Sequence, residues 1–313
     1  MSPDTLIVGA GTMGYGLAIQ FARHGAAVTV VDHRQSNLDE ARERVDESLA
    51  FLDSEGMLAA DADAVVDRID YSLDLAAAAE GIDFALETVS EDIDVKAEVF
   101  GTLAEATEDP VLASNTSGLQ ITEIADTVPD AADRVVGCHW WNPPYVMPLV
   151  EVIRGEETSD ETVERTTATV EAVERDPIVV KRDVPGFVWN RIQFAVLREA
   201  THIVEEGIAS VEDVERAVRD GYALRTSVVG PFETADISGL DLFGDIAAEL
   251  YPHLSNADEP GPQFDERVED GRTGVAAGEG FRAYDESLSE VVRRRDETVA
   301  AVVRARGPEG RER

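Results

Sequence analysis

Residues 5–32 constrain the fold of this chain more than any other stretch. Thr5-Leu6-Ile7-Val8 is a short apolar run that breaks at Gly9-Ala10-Gly11-Thr12-Met13-Gly14. An amphipathic stretch follows to Arg23 and stops at His24-Gly25, where a glycine suits a helix C-terminus. Val28-Thr29-Val30-Val31 is a second apolar run, closed by Asp32. A glycine triplet of this spacing means little alone. Between a strand and a helix, with an acid ending the next strand, it is a specific signal. Gly9 permits a tight turn, Gly11 lets the backbone approach a pyrophosphate, and Gly14 lets helix and strand pack closely. The pyrophosphate then rests on free amides at the helix start, those of residues Ala10 to Met13 among them. Asp32 would accept from the adenosine ribose hydroxyls and repel a 2′-phosphate, which favours NAD over NADP. Arg34 is the one neighbour arguing the other way.

Beyond this unit the pattern keeps alternating. Residues 36–54 and 59–66 read as helices around Gly56, 82–87 as a strand, 92–106 as a helix and 111–114 as a strand running into Asn115-Thr116-Ser117-Gly118. Strands at 134–138, 149–153 and 177–181 complete an α/β pattern of the doubly wound, Rossmann type, a mostly parallel sheet with helices on both faces. Ligands in such folds sit at the carboxyl ends of the strands. Ser117 and His139 both lie just past such ends, on the rim that carries the glycine turn. The character changes at Asp183-Val184-Pro185-Gly186, after which nothing reads as a strand of any length. A long helix over 187–206, apolar on most of its circumference, is expected to be a buried central helix. Helices at 211–219, 240–250 and 286–304 follow, and 307–313 reads as a frayed end. The expected division is therefore an α/β domain, 1–183, and an all-α domain, 184–313.

The run Cys138 to Ile153 is patterned for chemistry rather than packing. His139 ends an apolar strand, and prolines at 143, 144 and 148 deny the next residues both helix and ladder hydrogen bonds. Glu151 then sits between Val150 and Val152 in a new apolar run. A histidine and an acid joined by a rigid loop suit a base and the carboxylate that orients it. The same spacing also suits a surface histidine and an edge-strand acid, and the spacing alone does not separate them.

The chain carries 64 acids against 27 bases, a net charge of −37, and only Lys96 and Lys181 among the bases are lysines. The acids are spread along a chain that is 43% hydrophobic, which argues against disorder. Such a surface repels nucleic acid and anionic membranes. It suits a salt-rich cytoplasm, where the Debye length falls to ~3 Å at 1 M and self-repulsion is screened; an ordinary acidic protein is the alternative. No apolar run approaches the ~20 residues that span a bilayer, and no charged-then-apolar leader opens the chain. The single cysteine, Cys138, excludes internal disulfides, fits a reducing cytoplasm, and is expected to pack as a small hydrophobe. No Cys/His/Asp spacing points to a metal. His24, His202 and His253 read as structural, Trp140, Trp141 and Trp189 as walls of a cleft, and Lys181-Arg182 as a solvated strand end.

Taken together, Gly9 to Gly16, Ser114-Asn115-Thr116-Ser117, His139 through Glu151, Asp183-Val184-Pro185-Gly186-Phe187-Val188-Trp189-Asn190-Arg191 and Gly230-Pro231-Phe232-Glu233 resemble, in order and spacing, the L-3-hydroxyacyl-CoA dehydrogenases. The resemblance covers nearly the whole chain. It implies an NAD-binding Rossmann domain, a helical domain that forms a homodimer, and a cleft between them. The family's catalytic base falls on His139, its orienting carboxylate on Glu151, its active-site serine on Ser117 and its helical-domain asparagine on Asn190. Cofactor contacts fall on the glycine turn and on Asp32, Glu91, Lys96 and Asn142. The implied reaction is NAD-linked oxidation of the 3-hydroxyl of an L-3-hydroxyacyl-CoA.

The chain makes three departures from the family pattern. Gly118 stands where a second serine is usual, and Ala276-Ala277 replace a lysine-threonine pair whose lysine contacts the cofactor. Ser48 matches a serine that meets coenzyme A, but Glu55 stands in place of its partner lysine. Either salt adaptation removed that lysine, since an exposed ion pair contributes only ~0–1 kcal/mol, or the substrate carries no coenzyme A. Relatives in the same superfamily oxidise free hydroxy acids such as L-gulonate and carnitine. A non-catalytic NAD-binding scaffold, like the crystallins recruited from this superfamily, is the reading from outside enzymology.

Overall fold

The computed structural model describes residues 3–307. They form two compact units, one running to Asn190 and including Asp296–Ala305, the other Arg191–Arg295. The expectation for 308–313 lies outside the described residues. The first unit runs past the expected boundary at 183 because backbone amides of Val188 and Trp189 and the side chain of Asn190 are hydrogen-bonded into it.

The first unit opens with β1 (Thr5–Val8), α1 (Thr12–Ala22), β2 (Val28–Val31) and α2 (Gln35–Ser54). It continues with α3 (Ala62–Val66), β3 (Ile69–Ser72), α4 (Leu75–Ala78), β4 (Phe84–Glu87), α5 (Ile93–Ala106) and β5 (Val111–Ser114). Then come α6 (Ile121–Ala125), β6 (Val135–Trp140), β7 (Leu149–Ile153), α7 (Asp160–Ala172) and β8 (Asp176–Val180). The eight strands make one sheet in the order β3-β2-β1-β4-β5-β6-β7-β8. Every ladder is parallel except β6 against β7. The sheet is buried on both faces, which is why its strands read as continuous apolar runs. Leu6 and Val8 belong to one hydrophobic cluster while Ile7, between them, belongs to the other. β3 escaped the sequence pattern because only Ile69 of its four residues is buried.

Helix starts are capped where side chains allow it. Asp61, Asp92 and Ser159 each accept a backbone N–H in the first turn of α3, α5 and α7. The start of α1 is different: Gly11 offers no side chain, so the first amides keep their hydrogen-bonding capacity.

The second unit contains most of α8 (Trp189–Glu205) and the helices Val211–Arg216, Pro231–Ser238, Leu240–Leu250 and Pro262–Glu269. No strand is present among its described residues beyond isolated bridges at Gly274, Glu279 and Ala283. The expectation that α8 is a buried central helix is not met within the single chain. Only Thr201 of α8 is buried, and Ile192, Phe194 and Leu197 are exposed. Its apolar circumference exceeds what the neighbouring helices of one chain cover. The final helix, Leu288–Arg306, returns residues 296–305 to the first unit, where Ala300 is buried among the α1–α2 core and Val299 and Val303 pack beside it. No helix among the described residues is long and apolar enough to cross a membrane.

Candidate active site

The glycine turn joins β1 to α1 at the carboxyl end of the sheet. Gly9 has φ +108°, a region that side chains disfavour, and an added Cβ would sit 2.7 Å from the Thr88 carbonyl oxygen. A Cβ on Gly14 would meet the Gly9 carbonyl oxygen at 1.8 Å. Nothing lies within 4 Å of a Cβ built on Gly11, so that side of the turn is open above uncapped amides. Asp32 follows β2. Its Oδ2 accepts from the Ala10 amide at 3.0 Å, and its Oδ1 accepts from the Arg34 amide at 3.0 Å and from Asn37 Nδ2 at 2.9 Å. The carboxylate is thereby fixed beside the turn, while the Arg34 side chain is exposed. Free amides at a helix start next to a fixed acid fit a dinucleotide that carries no 2′-phosphate.

A second rim segment is built around Glu91. Its Oε1 accepts from Thr116 Oγ1 at 2.6 Å and from the amides of Ser117 at 2.9 Å and Gly118 at 2.7 Å. Partial burial alone would raise this carboxyl, but those hydrogen bonds and the Lys96 ammonium carry it below the ordinary carboxylate range. Gly118, where the family usually has serine, thus contributes its backbone N–H to the clamp. Lys96, expected among the cofactor contacts, is 1% exposed, with Nζ 2.7 Å from Glu87 Oε1 and 3.4 Å from Glu91 Oε2. Its charge is spent inside the protein, so Glu91 rather than Lys96 faces the open rim. Asn142 is exposed just past β6.

His139 and Glu151 meet on the antiparallel pair β6–β7, where they are register partners. His139 Nδ1 lies 2.8 Å from Glu151 Oε2, and Nε2 lies 3.1 Å from Ser117 Oγ. A carboxylate only accepts, so Nδ1 carries the proton and Nε2 is left as an acceptor facing the Ser117 hydroxyl. Glu151 is 0% exposed, and its Oε1 accepts from the amides of Val188 at 2.9 Å and Trp189 at 3.0 Å. Burial would raise its carboxyl, but the hydrogen bonds from His139, Trp189 and Val188 hold it below the ordinary range. Asn190 Nδ2 donates to the Ser117 carbonyl at 3.2 Å. Ser117, His139 and Glu151 from distant parts of the sequence therefore converge, and Asn190 joins them from within the first unit.

Sequence reasoning missed the elements that hold this cluster. Phe187 adopts φ +50°, unusual for a non-glycine residue, and sets its ring edge-on to His139 at a centroid distance of 5.7 Å. The Asn115 side chain accepts from the Trp140 amide at 2.7 Å, tying the end of β5 to the end of β6. Pro185-Gly186 immediately before Phe187 was the available signal for a sharp turn.

Trp140 is buried, with its indole N–H donating to Cys138 Sγ and its ring packed on Phe21, so it belongs to the core rather than to a cleft wall. Trp141 and Trp189 do stack, with ring centroids 4.2 Å apart. Cys138 is buried, which pushes its thiol up to about 12 and leaves it inert. Ser48, expected to meet substrate, is 8% exposed and donates to the Tyr145 hydroxyl at 3.3 Å. Glu55 is paired with Arg304 of the last helix, whose Nη1 also reaches the Glu55 carbonyl.

A mostly parallel sheet with an uncapped glycine turn, a fixed ribose-side acid and a histidine oriented by a buried carboxylate defines a nicotinamide-dependent dehydrogenase. Comparison with known proteins places it further. The family model described as 3-hydroxyacyl-CoA dehydrogenase, NAD binding domain, matches residues 5–184, and the corresponding C-terminal domain model matches 186–284. The chain belongs to this family of NAD-dependent 3-hydroxyacyl-CoA and related 3-hydroxy acid dehydrogenases, and is an NAD-dependent oxidoreductase. It is 35% identical over 285 residues, 91% of each chain, to 5-formyl-3-hydroxy-2-methylpyridine 4-carboxylate 5-dehydrogenase of Mesorhizobium japonicum. A solved structure of a dehydrogenase of that name, described as an NAD+ dependent dismutase, superposes with TM-score 0.90 at 34% identity, covering 97% of this chain and 98% of that one. A probable 3-hydroxybutyryl-CoA dehydrogenase of Deinococcus radiodurans is 36% identical over 89% of this chain and 99% of its own.

Proposed function

We propose that this dehydrogenase interconverts a hydroxyl and a carbonyl on a small carboxylic acid, the 3-hydroxyl of a free hydroxy acid being the first candidate, with His139 moving the hydroxyl proton. NAD, when bound at the glycine turn, supplies the hydride acceptor. His139 Nε2 takes the proton in the direction of oxidation and returns it in reduction. Glu151 holds the ring in the tautomer that leaves Nε2 free and balances the imidazolium that forms. Ser117 and Asn190 hold the reacting oxygen within reach of Nε2, and a fixed geometry of this kind contributes as much as the proton transfer itself. Asp32 and the amides of residues 11–13 hold the dinucleotide, with Glu91 and Asn142 lining the nicotinamide end. The observation that carries this reading is the placement of both ring nitrogens, one on a fully buried carboxylate and the other on the rim hydroxyl.

The acid without coenzyme A is preferred on local grounds. The two positions through which the family resemblance would engage coenzyme A are committed elsewhere, Ser48 to Tyr145 and Glu55 to Arg304. The named substrate of the Mesorhizobium relative is likewise a free carboxylate. The second reading, an L-3-hydroxyacyl-CoA, is supported by the family models and by the Deinococcus relative. Rates of NADH formation on 3-hydroxybutyryl-CoA, on gulonate and carnitine, and on hydroxymethylpyridine carboxylates separate the two. A kcat/KM for the thioester above that for every free acid overturns the preference. We further propose a homodimer, because Phe232 is 86% exposed and Leu224, Val228 and Ile237 are exposed with it in the single chain; light scattering at the monomer mass would contradict it.

A further inference from the structure

The segment between β6 and β7 begins two residues after His139 and ends three before Glu151, and it has no ladder of its own. Its shape is set instead by α1 and by the start of β8. Arg175 is buried and donates to the Pro144 carbonyl through Nε at 3.3 Å and Nη2 at 3.4 Å. The same Nη2 donates to Gln20 Oε1 at 2.7 Å, and Gln20 Nε2 donates to the Val173 carbonyl at 2.6 Å. Arg23, at the C-cap of α1, donates through Nη2 to the next carbonyl, that of Tyr145, at 3.0 Å. From the other side Gly16 of α1 admits the proline ring: an added Cβ would lie 2.8 Å from Pro144 Cγ. Glu174, immediately before Arg175, is held at φ +55°, a strained conformation for a glutamate.

This arrangement is a poor bargain for stability alone. Arg23 leaves Nε and Nη1 buried without a hydrogen-bond partner among the described residues. Burial pulls its guanidinium down to about 10 against the opposing pull of Glu174. Buried charges of this kind are often replaced by apolar side chains without loss of stability. Local departures from stable packing concentrate where function requires them.

We propose that Arg23 and Arg175 are positioning residues for the reaction: they fix the Pro144 and Tyr145 carbonyls to α1, and so set His139 and Glu151 relative to the glycine turn at the other end of the same helix. The inference rests on His139 being the base. One rigid helix then carries the dinucleotide turn at its start and the brace on the histidine-to-glutamate loop at its end.

The test is a double-mutant cycle, with Arg23→Met and Arg175→Lys made separately in the wild type and in His139→Gln. The expected result is a kcat lowered ~10–100-fold by each substitution in the wild-type background, as misplacement remote from the chemistry produces, with KM for NAD within about twofold. In the His139→Gln background the same substitutions should change the residual rate little, because the group they position is gone. Equal effects in both backgrounds, or a kcat that stays at the wild-type value, overturn the proposal. Arg175→Lys, which keeps the charge but not the fork, serves where Arg23→Met does not fold. If His139→Gln alone retains wild-type turnover, the base assignment itself has failed, and the cycle distinguishes that outcome from failure of the brace.

Discussion

His139 and Glu151 stand directly opposite one another on antiparallel strands, and their side chains meet at 2.8 Å on one face of the sheet. Two of the loop residues between them, Pro144 and Tyr145, are buried against α1, so the loop that reverses the chain is itself fixed. The pairing is therefore a property of strand register, and a one-residue slip of either strand would turn one partner to the opposite face. The second carboxylate oxygen is held by the Val188 and Trp189 amides, so both oxygens of Glu151 are hydrogen-bonded.

Glu151→Gln should lower kcat by ~10²–10⁴-fold, the range associated with a correctly oriented base. The amide offers the wrong hydrogen-bonding edge to Nδ1 and competes for the tautomer that keeps Nε2 free. NADH affinity should be unchanged, since Glu151 lies away from the glycine turn. Single-turnover rates with fluorescence titration of NADH check both parts.

Gly11→Ala and Gly14→Ala should part company. A Cβ at Gly11 meets no protein atom, so thermal stability is expected to hold while KM for NAD rises as the methyl enters the space the pyrophosphate needs. A Cβ at Gly14 would lie 1.8 Å from the Gly9 carbonyl oxygen, so stability and NAD binding are expected to fall together. Melting curves and NADH titrations of the two variants, side by side, are the check.

His24 gives the chain a pH dependence of defined sign. Burial, reinforced by the neighbouring Arg23, lowers its imidazole to about 4 from an ordinary 6.5. Between those values the unfolded chain binds the proton and the folded chain does not, so stability is fully present above 6.5 and declines as pH falls toward 4. His24→Gln should lose less stability than the wild type over that interval. Denaturant midpoints at pH 7 and pH 4.5 test it, and equal losses would remove His24 from the explanation.

A net charge of −37 makes the folded state salt-dependent. Self-repulsion is screened as the Debye length falls to ~3 Å near 1 M salt, so the melting midpoint should rise with potassium chloride and level off in the molar range. A midpoint already maximal in dilute buffer would contradict adaptation to a salt-rich interior.

Much of this was legible in the residues, and the misses have physical causes. The glycine turn was readable because Gly9 and Gly14 answer to backbone geometry that no other residue meets. Ser48 and Lys96 were expected to face ligands, yet both lie on the buried stripes of their helices. On α2 that stripe is Leu38, Ala41, Val45, Ser48, Leu49 and Leu52, and on α5 it is Lys96, Phe100 and Leu103. Their burial follows the helical period of these stripes, whereas the ligand roles came from the family resemblance. The amides of Val188 and Trp189 on Glu151 were not legible, because backbone contacts 37 and 38 residues apart leave no mark on side-chain identity.

His139 carries the proposed proton transfer. His139→Gln should bind NADH within about twofold of the wild type, because the glycine turn and Asp32 are untouched, and should lose ~10²–10⁴-fold in kcat on the best substrate found. NADH titration and steady-state turnover on the same preparation measure both. Turnover near the wild-type rate, with NADH still bound, would show that the proton leaves by another group and that the pairing with Glu151 is structural.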